Sequence, residues 1–347
     1  MIDFRYHIVS LISVFLALAV GIALGAGPLK ETIGDTLTGQ VEQLRGEKDA
    51  LRAELDTTSG ELADTETYIG AAGAQLLDGT LTDRRVAVIA LGEVDESTRT
   101  ALDERLTQAG ATVTARVTLT ETWTDPDART FRQALVGQLL AYLDPVPAQD
   151  AGVEGELASA LVQALVTSDP SNPDVLSDDA SVLLELLSSS ESDSPLVTVA
   201  DEVNVPADAV VVIGVPVEEQ ADGATPSPEP SESVAAAQLA VLSAAQELSS
   251  GAVLADGPRG EGSLPDAVLA DQDLAAALTT VSGTEVVTGQ VNVPLAIAAR
   301  IAGTNGHYGF GDDETPLPPS VELAPVDRTP RVTDAPDAPD ATVGTDG

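Results

Sequence analysis

Between Arg5 and Lys30 the chain carries no Asp, Glu, Lys or Arg, reading YHIVSLISVFLALAVGIALGAGPL over residues 6–29. As a helix these twenty-four residues measure about 36 Å, enough to cross about 30 Å of hydrocarbon. A cleaved signal peptide is the competing reading. It would show a basic leader and a shorter apolar core. Here the leader MIDFR holds one arginine offset by Asp3, and the apolar run is long, although Ala23-Leu24-Gly25-Ala26 supplies small residues for a cut. Residues 1–30 are therefore expected to be a retained single-span anchor. Arg5 on one side and Lys30, Arg45 and Lys48 on the other leave the positive-inside count balanced. The simplest insertion keeps the short leader in the cytoplasm and turns the body outward, into the cell envelope.

Two patterns on this helix and the next point to pairing. Ala17, Gly21 and Gly25 are spaced by four, a small-residue stripe that lets two membrane helices approach closely. Plain lipid-facing glycine is the alternative. After Gly27-Pro28, Leu37, Val41, Leu44, Lys48, Leu51, Leu55, Thr58, Leu62, Thr65 and Ile69 alternate by four and three without a slip. That is a heptad seam with Val41, Lys48, Leu55, Leu62 and Ile69 at a, and Leu37, Leu44, Leu51, Thr58 and Thr65 at d. Arg45 and Arg52 interleave with Glu42, Glu47, Asp49 and Asp56 at helical spacings. Residues 31–75 are expected to form a coiled-coil stalk, and the alternative is one amphipathic helix docked on its own domain. The phase carried backward puts Leu16, Val20 and Ala23 on the seam and leaves Gly21 and Gly25 off it. Anchor and stalk would thus pair as separate units about a swivel at Gly27-Pro28 and Gly34.

The body, residues 76–323, reads as α/β. VAVIALG (86–92) has strand length, a helix period follows over 95–109, and TVTARVTLT (112–120) alternates as a strand. This β–α–β order implies a parallel sheet of Rossmann-like type. Helical patterns at 128–143, 154–167 and 178–188 lead to a buried-strand candidate, AVVVIGV (209–215). Then come a helix over 234–249, a strand at 251–256, a helix near 265–278, a strand TEVVTG at 284–289 and a helix over 293–302. VEEQADGATPSPEPSES (217–233) is acidic and rich in Pro and Ser, and reads as a flexible insertion. The segment from 324 to 347 reads as a disordered acidic tail on the same ground.

Charge and composition exclude several classes of function. Sixteen Lys and Arg against fifty-six Asp and Glu give −40, which repels a phosphate backbone and anionic headgroups. Nucleic acid is excluded as a partner. With no cysteine and Met1 as the sole methionine, disulfides and soft thiolate or thioether metal sites are absent. His7 and His307 lie at opposite ends of the sequence, so metal chemistry would rest mainly on oxygen. Aromatic residues make up 3%, too few for the girdles of an outer-membrane barrel.

No GxSxG elbow, Walker A loop, HExxH or dinucleotide fingerprint occurs. No catalytic residues and no cofactor are therefore expected. Asp95 and Glu96 at the first strand–helix turn fit an N-cap and a first-turn acid better than a ligand pair. The one dense cluster is GTNGHYGFGDDETPLPP (303–319), where His307, Asp312, Asp313 and Glu314 stand close in sequence. An imidazole beside carboxylates suits a weak site for a borderline divalent ion, Cu(II) included. Closure of a domain edge by a glycine-rich turn is the alternative.

Beyond these readings, Arg5, His7-x-Val9-Ser10-Leu11, Val14-Phe15-Leu16-Ala17-Leu18-Ala19 and Gly21-x-x-Leu24-Gly25 resemble the opening of the actinobacterial MctB family. The V-A-V-I strand, Thr118-Leu119-Thr120 and Gly306-x-Tyr308-Gly309 follow in family order. The resemblance implies a role in copper efflux and homeostasis, copper ion as a partner and an outer-membrane location. It carries no catalytic residues across. The expected molecule is a single-pass, homo-oligomeric membrane protein of the envelope, with a stalk and an α/β body. The alternative is a non-catalytic envelope scaffold that conducts no copper. An α/β enzyme is the third class.

Overall fold

A computed structural model describes the backbone of residues 4–26, 28–189, 195–215 and 232–330, and their side chains except at 26, 28–36 and 232–233. Two units divide the chain, Met1–Thr67 and Tyr68–Gly347. In the first lies α1 (Phe4–Ala26), in which Phe4–Gly25 is long and apolar enough to cross a membrane. Its apolar side chains are exposed throughout, and a Cβ built on Gly21 or Gly25 meets nothing within 4 Å. The second helix, α2 (Pro28–Leu77), covers the whole heptad segment and ends inside the second unit. Gly27, half of the expected swivel, lies outside the described residues.

The second unit is built on a seven-stranded sheet. In chain order it contains β1 (Arg85–Ala90), α3 (Glu96–Gln108), β2 (Thr112–Leu119), α4 (Arg129–Leu139), α5 (Gly152–Val166), β3 (Ser168–Asp169) and β4 (Asn172–Leu176). There follow α6 (Asp178–Ser188), β5 (Val197–Val199), β6 (Ala209–Ile213), α7 (Glu232–Leu248) and β7 (Ala252–Ala255). The described part closes with α8 (Leu264–Ala270), α9 (Gln272–Ala277), β8 (Thr280–Val281), α10 (Val287–Ile301) and β9 (His307–Tyr308). The strand order is β5-β2-β1-β6-β7-β8-β9, parallel except for β5 against β2, while β3 and β4 form a separate hairpin.

Period-two alternation sends the strand residues into two cores. Ala87, Ile89, Val210, Val212 and Leu254 face a layer made by α4, α5, α6 and α7, in which Trp123 is buried. Val86, Val88, Val211, Ile213 and Val253 face α3, α10 and Leu77 at the end of α2. With helices on both faces, the central strands are buried on both sides, which is why VAVIA and AVVVI read as unbroken apolar runs.

Two expectations are corrected. TEVVTG (284–289) is not a strand: the strand is Thr280–Val281, and α10 begins at Val287. Gly283, at φ +70°, ends β8, and Thr284 turns back to bond the Asp256 carbonyl through both N–H (3.0 Å) and Oγ1 (2.9 Å). Packing of Val287 and Val291 on the second core then outweighs the strand preference of the Val-Val-Thr sequence. The helix expected near 265–278 is two helices, because the Asp271 side chain accepts from the N–H groups of Asp273 and Leu274 and caps α9 afresh. The insertion at 217–233 lies outside the described residues, apart from the backbone of 232 and 233 at the start of α7.

The strand order reverses between β1 and β6, where open α/β sheets place their ligands, outside the carboxyl ends of the strands. Gly92 and Gly214 stand at those ends.

Candidate functional site

The carboxyl edge of β7, β8 and β9 gathers the polar residues of the 303–319 cluster. After β9 the chain turns through Gly309–Thr315. The Gly309 N–H donates to the Thr315 carbonyl (3.0 Å), and the Thr315 N–H donates to the His307 carbonyl (2.8 Å). Inside this turn Glu314 Oε2 accepts from Ser282 Oγ (2.9 Å) and from the Gly311 N–H (2.8 Å). Its other oxygen, Oε1, is buried with no hydrogen-bond partner among the described residues. Arg259 pairs with Asp266 (2.7 Å) and donates to the Asp312 carbonyl. Asp313 takes φ +65°, the left-handed turn conformation.

His307 faces the other way. Its Nδ1 is 2.9 Å from Thr280 Oγ1 and its Nε2 is 3.0 Å from the Ala275 carbonyl. Burial lowers the imidazole pKa, against the opposing effects of the Ala275 bond and the Glu314 charge, so the ring is held neutral. The turn thus fixes Glu314 through Oε2 and Asp312 through its carbonyl, while both ring nitrogens of His307 are engaged with the protein. Among the described residues no group of three or more His, Cys, Asp or Glu is arranged to hold a metal ion.

Sequence reading missed Asp256, the most perturbed carboxylate on this edge. It follows β7 directly, is 4% exposed, and accepts at Oδ1 from the Gly257 N–H (2.8 Å). Burial, with a smaller push from Glu285, raises its pKa to about 7, against hydrogen bonds from the backbone of Gly257 and Leu264. The carboxylate lies against the end of β6 so closely that a Cβ on Gly214 would be 2.4 Å from it. Its sequence signal was an aspartate immediately after a buried apolar run (AVLAD), at a strand's carboxyl end. Asp95 occupies the N-cap position of α3 but makes no capping side-chain bond, and Glu96 lies in the first turn.

The helix-pairing residues form the second candidate site. Leu37 (55%), Val41 (44%), Leu44 (63%), Leu51 (65%), Leu55 (65%) and Leu62 (58%) are all exposed on α2. Leu44, Lys48, Leu51 and Leu55 line a shallow groove along the helix, with Glu47 and Arg52 at its margins. In α1, Ala17 is exposed on the same turn-by-turn stripe as Gly21 and Gly25. A row of exposed leucines at a and d is the arrangement that buries itself against a second helix.

The family model described as "Copper transport outer membrane protein, MctB" matches residues 1–319. The protein of Mycobacterium tuberculosis (strain ATCC 25618 / H37Rv) named "Copper transporter MctB" is 27% identical over 317 residues, which cover 90% of this chain and 97% of the relative. Its namesake from Mycobacterium leprae (strain TN) is 28% identical over 329 residues, 91% of this chain and 99% of the relative.

Proposed function

The chain belongs to the MctB family, and from that premise we propose that it works in copper homeostasis as a membrane-anchored envelope protein contributing to copper efflux. In this reading α1 fixes the chain in the membrane, α2 pairs with the α2 of a second copy in parallel, and the α/β body faces away from the cytoplasm. Copper is the cargo. The observation that carries the reading is the family match, which takes in the apolar helix, the heptad segment and the body together.

The geometry of His307 favours a specific form of it. With both ring nitrogens engaged, copper handling depends on the anchored assembly and not on a ligand set built around that imidazole. A scaffold that supports copper efflux by other proteins is the second reading, favoured by the absence of a three-residue ligand group among the described residues.

The deciding experiment measures copper content of a deletion strain in excess copper, complemented by the full chain, by secreted residues 31–347, or by His307→Ala. Efflux through an anchored assembly expects rescue by the full chain and by His307→Ala, and none by the secreted body. Rescue by the secreted body would make it a soluble binder, and failure of His307→Ala alone would place the copper at the 303–319 turn. No accumulation on deletion would remove copper from the function altogether.

A further inference from the structure

The last turns of α2 lie in the second unit, and two of their faces behave differently. Gly70, Gly73 and Leu77 face the body. A Cβ on Gly73 would come 2.5 Å from Val291 of α10, one on Gly70 would contact Arg105 and Val287, and Leu77 is fully buried. In the heptad register these are b and e positions. The a and d positions of the same turns are Ile69, Ala72 and Leu76, which follow Leu62 and Thr65 without a break. Ala72 and Leu76 are exposed. Ile69, Ala72 and Leu76 line one side of an apolar groove of about 360 Å³, and Phe310 and Leu317 lie on the other.

This groove concentrates apolar surface that water should not cover. Phe310 is 73% exposed, Leu317 52% and Tyr68, at its rim, 74%. The chain has four phenylalanines and four tyrosines in all, and two of these eight stand here unburied. Each copy carries −40, so self-pairing works against net repulsion and has to be carried by uncharged apolar surface held in register. The heptads supply that register. In a parallel pair, position g of one helix faces position e of the other five residues on, which sets Glu47 against Arg52 of the second copy. The same register continues to Ile69, Ala72 and Leu76, with no slip between the attractive pair and the groove.

We infer that the groove formed by Ile69, Ala72, Leu76, Phe310 and Leu317 receives the corresponding segment of α2 from a second copy of this chain, so that pairing runs from the heptad segment onto the body. The inference rests on the parallel pairing of α2 proposed above. The helix gives its b and e face to its own body and its a and d face to its partner.

Because the chain has no cysteine, single-cysteine variants of the full protein in membranes report pairing without background. Leu44→Cys tests the seam alone. Ala72→Cys tests the groove, and Ala71→Cys, an exposed position one residue off the seam, is the control. On oxidation, Leu44→Cys and Ala72→Cys are expected to give a disulfide-linked dimer and Ala71→Cys to remain monomeric. Cross-linking at Leu44→Cys without Ala72→Cys overturns the groove and leaves the stalk pairing standing. Failure at both overturns both, as an antiparallel pair would produce. A second variant, Leu76→Asp, places a charge in the groove at a side chain already 42% exposed, so the fold survives. It is expected to weaken dimerisation of the detergent-solubilised chain at least tenfold, and unchanged dimerisation would overturn the inference.

Discussion

Gly73 of α2 lies so close to Val291 of α10 that a Cβ at position 73 would stand 2.5 Å from a valine methyl. Val291 is 4% exposed in the second core, and its β-branched side chain is stiff about χ1. Gly73→Ala should therefore destabilise the body, with an overpacking cost of about 1–3 kcal/mol offset in part by about 1 kcal/mol of helix propensity. Gly60, on the same helix, has nothing within 4 Å of its added Cβ. Gly60→Ala should gain the propensity term alone. Thermal unfolding of the two variants should move in opposite directions.

Asp256 makes the stability of the body depend on pH. Its folded pKa of about 7 lies above the ordinary 3.8, so the folded state keeps a proton that the unfolded chain releases. The stabilisation is complete below about pH 4 and is lost as pH rises to about 7, on the order of 4 kcal/mol. Asp169, whose pKa is lowered by its hydrogen bonds from Ser171, acts in the opposite sense, and so does His307. Its lowered pKa costs stability as pH falls below the ordinary imidazole value. The group is therefore isolated by difference. Urea unfolding of wild type and Asp256→Asn should converge near pH 4, with the variant the more stable by pH 7.5. A constant difference across that range would show that Asp256 does not titrate there.

What could be read in the sequence, and what could not, follows from element length. β1, β6 and α5 announced themselves because five or more buried residues in a row, or a full apolar helix face, leave a period to detect. β8 and β9 are two residues each, too short for any period, and exist only because β7 offers β8 an edge and β8 in turn offers one to β9. Val286-Val287-Thr288 has strand chemistry in isolation, and only contact with the second core makes a helix start there. At the carboxyl edge the sequence marked His307 and the acids beside it by proximity along the chain. It could not show that the imidazole turns toward Ala275 and Thr280. Asp256 was passed over because its burial comes from β6, forty residues upstream.

Arg328 ties the segment after the body to the start of β6. Its guanidinium is 2.6 Å from Asp208 Oδ2, with both side chains about one-fifth exposed, and also donates to the Asp83 carbonyl (3.1 Å). Arg84 holds the same segment by donating to the Ala324 carbonyl (2.8 Å). Residues 324–330 are thus held to the body, and 331–347 lie outside the described residues. Arg328→Ala should cost roughly 1–2 kcal/mol, since a charge-assisted bond is lost while Asp208 keeps the Arg85 N–H. Hydrogen exchange should quicken at 322–330 and stay unchanged at β1 and β7.

The charge pattern beside the seam yields the last prediction. In a parallel pair, Glu47 faces Arg52 of the other copy, but two heptads on Glu61 faces Glu66. The first contact attracts and the second repels, and the repulsion falls just before the groove on the body. Glu66→Lys turns two like-charge contacts per dimer into two attractive ones, and should tighten self-association of the full chain in detergent roughly fivefold. Glu66→Gln, which only removes the repulsion, should give about half that gain in free energy. Both effects should shrink in 1 M salt, where charges are screened over about 3 Å. An antiparallel pair would set neither glutamate against the other in this way. Sedimentation equilibrium that shows no tightening with Glu66→Lys would therefore exclude the parallel register on which stalk and groove both depend.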